Sequence, residues 1–223
     1  MIKYKSIQVL FIVFILILIS DHFLFSQDPL RFQAEIDSLK KLNIETGTDK
    51  KIILFTGSSS IKRWEDIQEY FPEYTIINTG FGGSHMSDLL FYLNEIVLQY
   101  RPHQVFIYEG DNDVAHGTRP GKILGNTEKV IERIHHSLPG ITIVLLSPKP
   151  SPARWDLKKE YDKVNIRLRK LASNQDQILF IDVWSLMLDS DGQPIEELYV
   201  EDGIHMTKEG YDLWAGEISK YLQ

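Results

Sequence analysis

Five short apolar runs alternate with segments of helical periodicity, and this alternation constrains the fold more than any other feature of the chain. The runs are rich in Ile, Val and Phe and are apolar on both faces, which is typical of strands buried inside a parallel sheet. They lie at residues 51–56, 75–78, 104–108, 141–146 and 178–183. Because parallel strands need crossover connections, the pattern predicts an α/β fold, a three-layer α/β/α sandwich around a five-stranded parallel sheet.

The segments between the runs carry apolar stripes at the spacing of a helix. Four such stripes cover residues 86–100, 123–138, 157–171 and 211–222. A leading helix is predicted to start at Asp28-Pro29, since proline is favoured at the first helical position. With no repeat or linker, the chain predicts one domain over residues 28–223.

The composition excludes several classes of protein. A chain of 223 residues with 43% hydrophobic content has the make-up of a folded domain. The net charge of -7, without a basic cluster, argues against nucleic acid as a partner. Because there is no cysteine, disulfides, thiolate chemistry and lipoprotein acylation are excluded.

Residues 1–27 have the layout of a secretory signal. Two lysines precede an apolar run at 7–19, and a polar stretch follows it. This run is shorter than the roughly 20 residues of a spanning helix, so cleavage near Ser26 is expected. The alternative is an uncleaved anchor, since residues 23–25 extend the run. We therefore expect an exported protein, periplasmic or secreted, with membrane contact only if the segment is kept.

Serine and glycine follow the first two apolar runs, at the sheet edge where ligands bind in parallel α/β folds. The first run leads into "GSSS" and the second into "NTGFGG", in which Gly83 and its neighbours leave backbone amides open to close approach. Ser59 has two interpretations. Serine is a favoured helix N-cap, and the apolar residues from 61 to 71 recur at helical spacing. A hydroxyl in this place is also suited to act as a nucleophile.

A possible base for such a nucleophile precedes the last predicted helix. Asp202 and His205 lie three residues apart in "VEDGIHMTKEGY", and Thr207 is placed to cap that helix. On so short a tether, the carboxylate can hold one imidazole nitrogen and leave the other free as a base. Asn112, in "GDND" after the third run, adds an amide donor at the same edge. Turns are the alternative interpretation of both Asn112 and Asp202-Gly203.

Two other kinds of site are excluded by their spacing. The glycines at 80–83 do not complete GxGxxG, because position 85 is His. The stretch at 189–192 resembles the start of a calcium loop, but Pro194 and Val200 replace the required Gly and Glu. No metal or cofactor is therefore expected.

Four blocks, "FTGSSS", "NTGFGG", "GDND" and "DGIH", resemble in order and separation those of the SGNH hydrolases, also called the GDSL lipase/esterase family. The resemblance spans residues 50–220. It implies a flavodoxin-like sandwich in which Ser59, Asp202 and His205 are catalytic. It also implies an oxyanion hole formed by the amides of Ser59 and Gly83 and by the side chain of Asn112.

The chain departs from the family pattern at one position. Ser58 stands where the family name expects Asp, which removes a carboxylate but none of the five residues with direct roles. Ile61 shows that the GxSxG elbow of other hydrolases is absent. "GDND" with Asp111, together with "KPSPARW", is most similar to the branch related to platelet-activating-factor acetylhydrolase, whose members often cleave small acyl groups.

The resemblance implies a serine esterase that hydrolyses carboxylic esters, with short acyl or acetyl groups on a carbohydrate or lipid. Two alternatives stay open: a non-catalytic carbohydrate- or lipid-binding module on this fold, and a sugar O-acyltransferase. The expected partner is a small-molecule ester. Candidate substrate contacts are His85, Asp111, Arg154 and Trp155.

Overall fold

The computed structural model describes residues 28–42 and 49–223. The predicted signal segment at 1–27 lies outside the described residues. The chain divides into two units, Met1–Arg31 and Phe32–Gln223. In the first, Asp28 Oδ1 accepts a hydrogen bond from the amide of Leu30 at 2.9 Å. Across the two described ranges, we find no helix with the length and apolar character needed to span a bilayer.

The second unit contains a five-stranded sheet in which every neighbouring pair is parallel. Its spatial order is β2-β1-β3-β4-β5, the order of flavodoxin-like folds. The strands are β1 (Ile52–Gly57), β2 (Thr75–Gly80), β3 (Gln104–Tyr108), β4 (Thr142–Leu146) and β5 (Ile178–Ile181). The predicted three-layer sandwich is confirmed. β5 ends before the predicted residue 183 because the Asp182 side chain caps a helix that begins at Val183.

Helices connect and follow the strands. Their bounds are α1 (Gln33–Leu39), α2 (Ser59–Lys62), α3 (Ile67–Tyr70), α4 (Met86–Phe91), α5 (Leu93–Ile96), α6 (Asp111–Ala115), α7 (Pro120–Ser137), α8 (Lys158–Ser173), α9 (Val183–Leu186) and α10 (Lys208–Ile218). Short 3-10 turns lie at Leu98–Tyr100, Pro152–Leu157, Glu196–Leu198 and Ser219–Tyr221. Thr207 caps α10 as predicted, since its side chain accepts from the amide of Gly210.

The stripe at 86–100 does not form one helix. The backbone leaves helical geometry at Tyr92 (φ -93°, ψ 14°) and again at Val97 (φ -129°, ψ -61°). Leu89, Leu93 and Ile96 are nevertheless fully buried. Because burial of the stripe survives both breaks, apolar periodicity alone does not detect them.

The core has two apolar layers, one on each face of the sheet. Alternate residues of a strand point to opposite faces, so Leu54 and Val105 enter one layer whereas Phe55 and Phe106 enter the other. The first layer is covered by α1, α4, α5, α7 and α8. The second is covered by α2, α3, α9 and α10.

Two glycines allow close packing at the carboxyl ends of β1 and β2. Gly57 ends β1 at φ +132°, where a Cβ would lie 1.9 Å from the Tyr108 carbonyl oxygen. A Cβ on Gly80, at the end of β2, would lie 2.3 Å from the amide nitrogen of Lys62. A side chain at Gly57 would therefore push β1 and β3 apart, whereas one at Gly80 would push α2, and with it Ser59, away from β2.

Candidate active site

Ser59 and His205 meet at the carboxyl edge of the sheet. His205 Nε2 lies 2.9 Å from Ser59 Oγ, although the two residues are 146 positions apart. Ser59 is the first residue of α2, and His205 lies in the turn that precedes α10. An imidazole in hydrogen-bond contact with a hydroxyl can accept its proton and activate it as a nucleophile.

Asp202 holds the other side of the imidazole. Its Oδ2 lies 2.6 Å from His205 Nδ1, and its Oδ1 accepts the amides of Ile204 and His205, each at 2.8 Å. Burial raises the pKa of Asp202, but these hydrogen bonds outweigh burial, and the pKa lies well below its usual value. The carboxylate therefore stays charged. It favours the tautomer with a proton on Nδ1, which leaves Nε2 free to accept.

A cavity of about 490 Å³ opens beside the Ser59 hydroxyl. Five residues predicted from the sequence line it: Ser59, Gly83, Asn112, Arg154 and His205. The lining also includes Lys62, Arg63, Gly82 and Ile204. The structure thus brings the loops after β1, β2, β3 and β4 together with the turn before α10.

Backbone and side-chain donors border this cavity. The amides of Ser59 and Gly83 have no hydrogen-bond partner within the described parts of the chain. Asn112 Nδ2 donates one hydrogen to the carbonyl of Ser84 at 3.0 Å, which leaves its second hydrogen available. Donors arranged in this way can stabilise negative charge that develops on a bound carbonyl oxygen.

Arg154 fixes the orientation of the Asn112 amide. Its Nη2 donates to Asn112 Oδ1 at 3.3 Å, and its Nη1 contacts Asp111 Oδ1 at 2.5 Å. The amide oxygen therefore faces the guanidinium and the amide nitrogen faces Ser84. Arg154 is the one of the four candidate substrate contacts that lines the cavity.

Asp111 lies buried behind Arg154 rather than in the cavity. Its Oδ1 also accepts from the Tyr161 hydroxyl at 2.6 Å, and its Oδ2 contacts Lys149 Nζ at 3.3 Å and the Tyr108 hydroxyl at 3.0 Å. Burial raises the pKa of Asp111, but Lys149 and Arg154 together have the larger, opposite effect, so the pKa lies well below its usual value. In this structure Asp111 contacts Arg154 and holds it in place, and it does not line the cavity.

His85 and Trp155 also lie outside the cavity lining. His85 is buried at the start of α4 and packs its ring against His116, with the ring centroids 4.7 Å apart. Trp155 stacks on Trp184, with the ring centroids 5.7 Å apart, and packs against the apolar core.

A buried acidic pair under the glycine loop was not anticipated. Glu109, at the end of β3, lies 2.5 Å from the Ser84 hydroxyl through its Oε1. Burial, with Asp113 nearby, raises the pKa of Glu109 well above its usual value. Burial likewise raises the pKa of Asp113 to about 6, and its Oδ2 accepts the amide of Met86 at 3.0 Å. The sequence signal for this pair is Glu109, a carboxyl group directly after a mostly apolar strand.

Lys62, Arg63 and Ile204 were also missed as lining residues. Lys62 and Arg63 follow Ser59 by three and four positions, the spacing that places side chains on one side of a helical turn. Ile204 lies between Asp202 and His205 and is carried to the cavity by their turn. Within residues 28–42 and 49–223, no group of three or more His, Asp or Glu side chains is arranged to hold a metal ion.

A model of the GDSL-like Lipase/Acylhydrolase family matches residues 47–213 of the chain. The chain belongs to this family. The match covers every residue of the cavity lining, and family membership makes the protein a GDSL-type serine ester hydrolase. A search of curated proteins finds no significant match.

Solved structures share the fold of this GDSL-like hydrolase. A candidate platelet activating factor from Streptococcus pneumonia is 25% identical with a TM-score of 0.77, over 94% of this chain and 99% of that one. A GDSL-like lipase from Bacteroides thetaiotaomicron is 24% identical with a TM-score of 0.71, over 87% and 96%. A catalytic mutant of an acetylxylan esterase from Geobacillus stearothermophilus is 16% identical with a TM-score of 0.65, over 79% and 95%.

Proposed function

We propose that this hydrolase cleaves short-chain carboxylic esters, acetyl esters above all, of a carbohydrate or lipid alcohol. Ser59 is the nucleophile, His205 the general base and Asp202 the residue that orients the imidazole. The observation that carries the proposal is the 2.9 Å contact between His205 Nε2 and Ser59 Oγ, with Asp202 bound to the opposite ring nitrogen.

In the first half of the reaction, Ser59 Oγ attacks the ester carbonyl carbon while His205 Nε2 takes the hydroxyl proton. The tetrahedral intermediate collapses, the bond to the alcohol oxygen breaks, and His205 gives its proton to that oxygen. In the second half, water attacks the acyl-serine with the same base, and the acid leaves. Asp202 stays ionised throughout and stabilises the imidazolium.

The oxyanion of each intermediate is bound by the amides of Ser59 and Gly83 and by Asn112 Nδ2. Support comes from the position of all three residues at the cavity and from the free hydrogen on each donor. Gly83 has φ +78°, a conformation that glycine adopts without strain, so its amide can point away from the loop interior.

The preference for a short acyl group rests on the chemistry of the lining. Ile204 is the one aliphatic side chain among the nine lining residues. A long acyl chain would gain little from burial here, because each methylene needs apolar surface against which to pack. The shared fold with an acetylxylan esterase is compatible with an acetylated carbohydrate as substrate.

We also propose that the protein is exported. The proposal rests on the signal-like layout of residues 1–27. Expression of the full chain, followed by cell fractionation and intact-mass measurement, tests it. A mature protein that begins near Asp28 in the periplasm or medium is expected, and the unprocessed chain in the cytoplasm would contradict it.

A series of p-nitrophenyl esters from acetyl to decanoyl tests the proposed activity and acyl preference. We expect the highest kcat/KM for acetyl or butyryl and a steep fall toward decanoyl. Ser59→Ala should abolish turnover, whereas Ser58→Ala and Ser60→Ala should retain it. An inactive wild-type protein would favour a binding module, and acyl transfer to an added sugar in preference to water would favour an acyltransferase.

A further inference from the structure

The charged side chains that line the cavity are cationic, although the whole chain is acidic. Lys62, Arg63 and Arg154 all belong to the lining, which contains no carboxylate. The chain as a whole carries a net charge of -7. A local excess of positive charge in an acidic protein attracts negatively charged ligands to that place.

Lys62 contributes least to this excess. Its Nζ lies 2.8 Å from Glu35 Oε1, which also accepts the amide of Gly82 at 3.3 Å. The Glu35 carboxylate therefore offsets the charge of Lys62 and holds it at one edge of the cavity.

Arg154 carries a charge that is only partly offset. It shares the single carboxylate of Asp111 with Lys149, whose side chain is 0% exposed. The negative charge of Asp202 also acts on Lys149, so the cation that borders the cavity itself is the guanidinium of Arg154. Because this charge lies in a largely buried environment, solvent screens it less than a surface charge.

Arg63 is the least constrained of the three cations. It is exposed and forms no salt bridge with any acidic side chain in the described ranges. Its backbone amide donates to the Ser59 carbonyl at 2.9 Å, so it lies one helical turn from the nucleophilic hydroxyl. A planar guanidinium in this position can form paired hydrogen bonds with a carboxylate or another oxyanion.

We propose that the natural ester carries an anionic group, of the carboxylate class, on its alcohol portion, and that Arg63 binds this group. The positive charge at Arg154 contributes to the attraction. This inference rests on the proposed function, because it assigns the substrate class of the same site. It adds that the alcohol is acidic rather than neutral.

A matched pair of acetyl esters tests the inference. 3-Acetoxybenzoate is anionic at neutral pH, and methyl 3-acetoxybenzoate is its neutral counterpart with the acetyl group at the same ring position. Each kcat/KM is divided by the rate of uncatalysed alkaline hydrolysis, so that differences between the leaving groups cancel. We expect the wild-type protein to prefer the anionic ester.

Arg63→Gln should reduce this preference about three- to fivefold, mainly through a higher KM for the anionic ester, as expected for one partly exposed ion pair. In the wild-type protein, raising the salt concentration from about 50 mM to about 500 mM should also reduce the preference for the anionic ester. Arg167→Gln, an exposed arginine of α8 outside the cavity, is the matched control and should leave the preference unchanged.

Equal or faster turnover of the neutral ester by the wild-type protein would overturn the inference, as would an unchanged preference in Arg63→Gln. In that case, Ser59-dependent hydrolysis of the neutral ester would leave the proposed function standing. If the wild-type protein hydrolysed neither ester and its Ser59 failed to react with a fluorophosphonate, both proposals would fall.

Discussion

Arg154 Nη2 donates a hydrogen bond to Asn112 Oδ1 at 3.3 Å, so the amide plane of Asn112 is held from its oxygen side. The amide nitrogen is held by the carbonyl of Ser84 at 3.0 Å. Two independent contacts thus fix the side chain before any substrate binds. A donor that is already oriented stabilises an oxyanion without further reorganisation.

Asn112→Ala should therefore lower kcat by roughly 100- to 1000-fold, the usual effect of removing one oxyanion donor. The thermal unfolding temperature should fall by only a few degrees, because the change removes two hydrogen bonds of a buried side chain but leaves the apolar core intact. The matched control is Asn126→Ala in α7, outside the cavity, which should keep wild-type turnover. Full activity in Asn112→Ala would remove this side chain from the site.

Asp202→Asn should lower kcat by roughly 10³- to 10⁴-fold, because a neutral amide does not enforce the tautomer that leaves Nε2 free. The pKa of Asp202 lies far below neutrality, so the wild-type rate should not depend on its titration above about pH 5. Asp176→Asn, at an exposed position away from the cavity, is the control. Measuring kcat for both proteins from about pH 5 to about pH 9, the range in which a histidine base usually titrates, checks this. A small decrease in kcat at every pH in that range would contradict it.

Gly80→Ala should destabilise the fold and reduce activity together. The added Cβ would overlap the amide of Lys62 at 2.3 Å and displace α2, so we expect a loss of about 2 kcal/mol in the free energy of unfolding. Gly125→Ala, in α7 with open space around the added Cβ, should instead gain about 0.5–1 kcal/mol from helix propensity. Urea unfolding and esterase assays of both variants test the contrast, and equal stability of the two would refute it.

Asp113→Asn should change the pH dependence of stability. The pKa of Asp113 is about 6 in the folded state, whereas its ordinary value is 3.8. The folded state therefore binds this proton more tightly than the unfolded chain does. The associated stability is present below about pH 4 and is lost as the pH rises to about 6. Raising the pH from about 4 to about 7 should thus destabilise the wild-type protein relative to Asp113→Asn by about 2 kcal/mol.

The asparagine variant is a fair comparison because its side-chain oxygen can still accept the Met86 amide that Asp113 binds at 3.0 Å. Urea unfolding of both proteins at the two pH values measures the difference. Parallel stability curves for the two proteins would show that Asp113 titrates normally.

Much of the fold was predictable because each signal was local. Apolar runs predicted the five strands, and the rule that ligands bind at carboxyl ends of parallel strands predicted which loops meet. The turn containing Asp202 and His205 was predictable because three residues of chain suffice to join a carboxylate to an imidazole. In the structure, His205 Nδ1 lies 2.6 Å from Asp202 Oδ2.

Other features were not predictable because they depend on tertiary contacts. Lys149 is fully buried with Asp111 beside its ammonium group, and a lysine in a proline-rich loop carries no sign of this. Glu35 reaches Lys62 from a helix far upstream, with no periodicity to connect the two residues. Trp155 was expected at the cavity, but its stacking on Trp184 depends on a partner contributed by α9.

The most direct test of the central claim is covalent labelling with a fluorophosphonate, followed by mass spectrometry of the labelled peptide. Only a serine activated by a neighbouring base reacts rapidly. We predict one label, on Ser59, with labelling lost in folded Ser59→Ala and strongly slowed in folded His205→Ala. A label on another serine, or undiminished labelling of His205→Ala, would contradict the assignment of Ser59 and His205 as nucleophile and base.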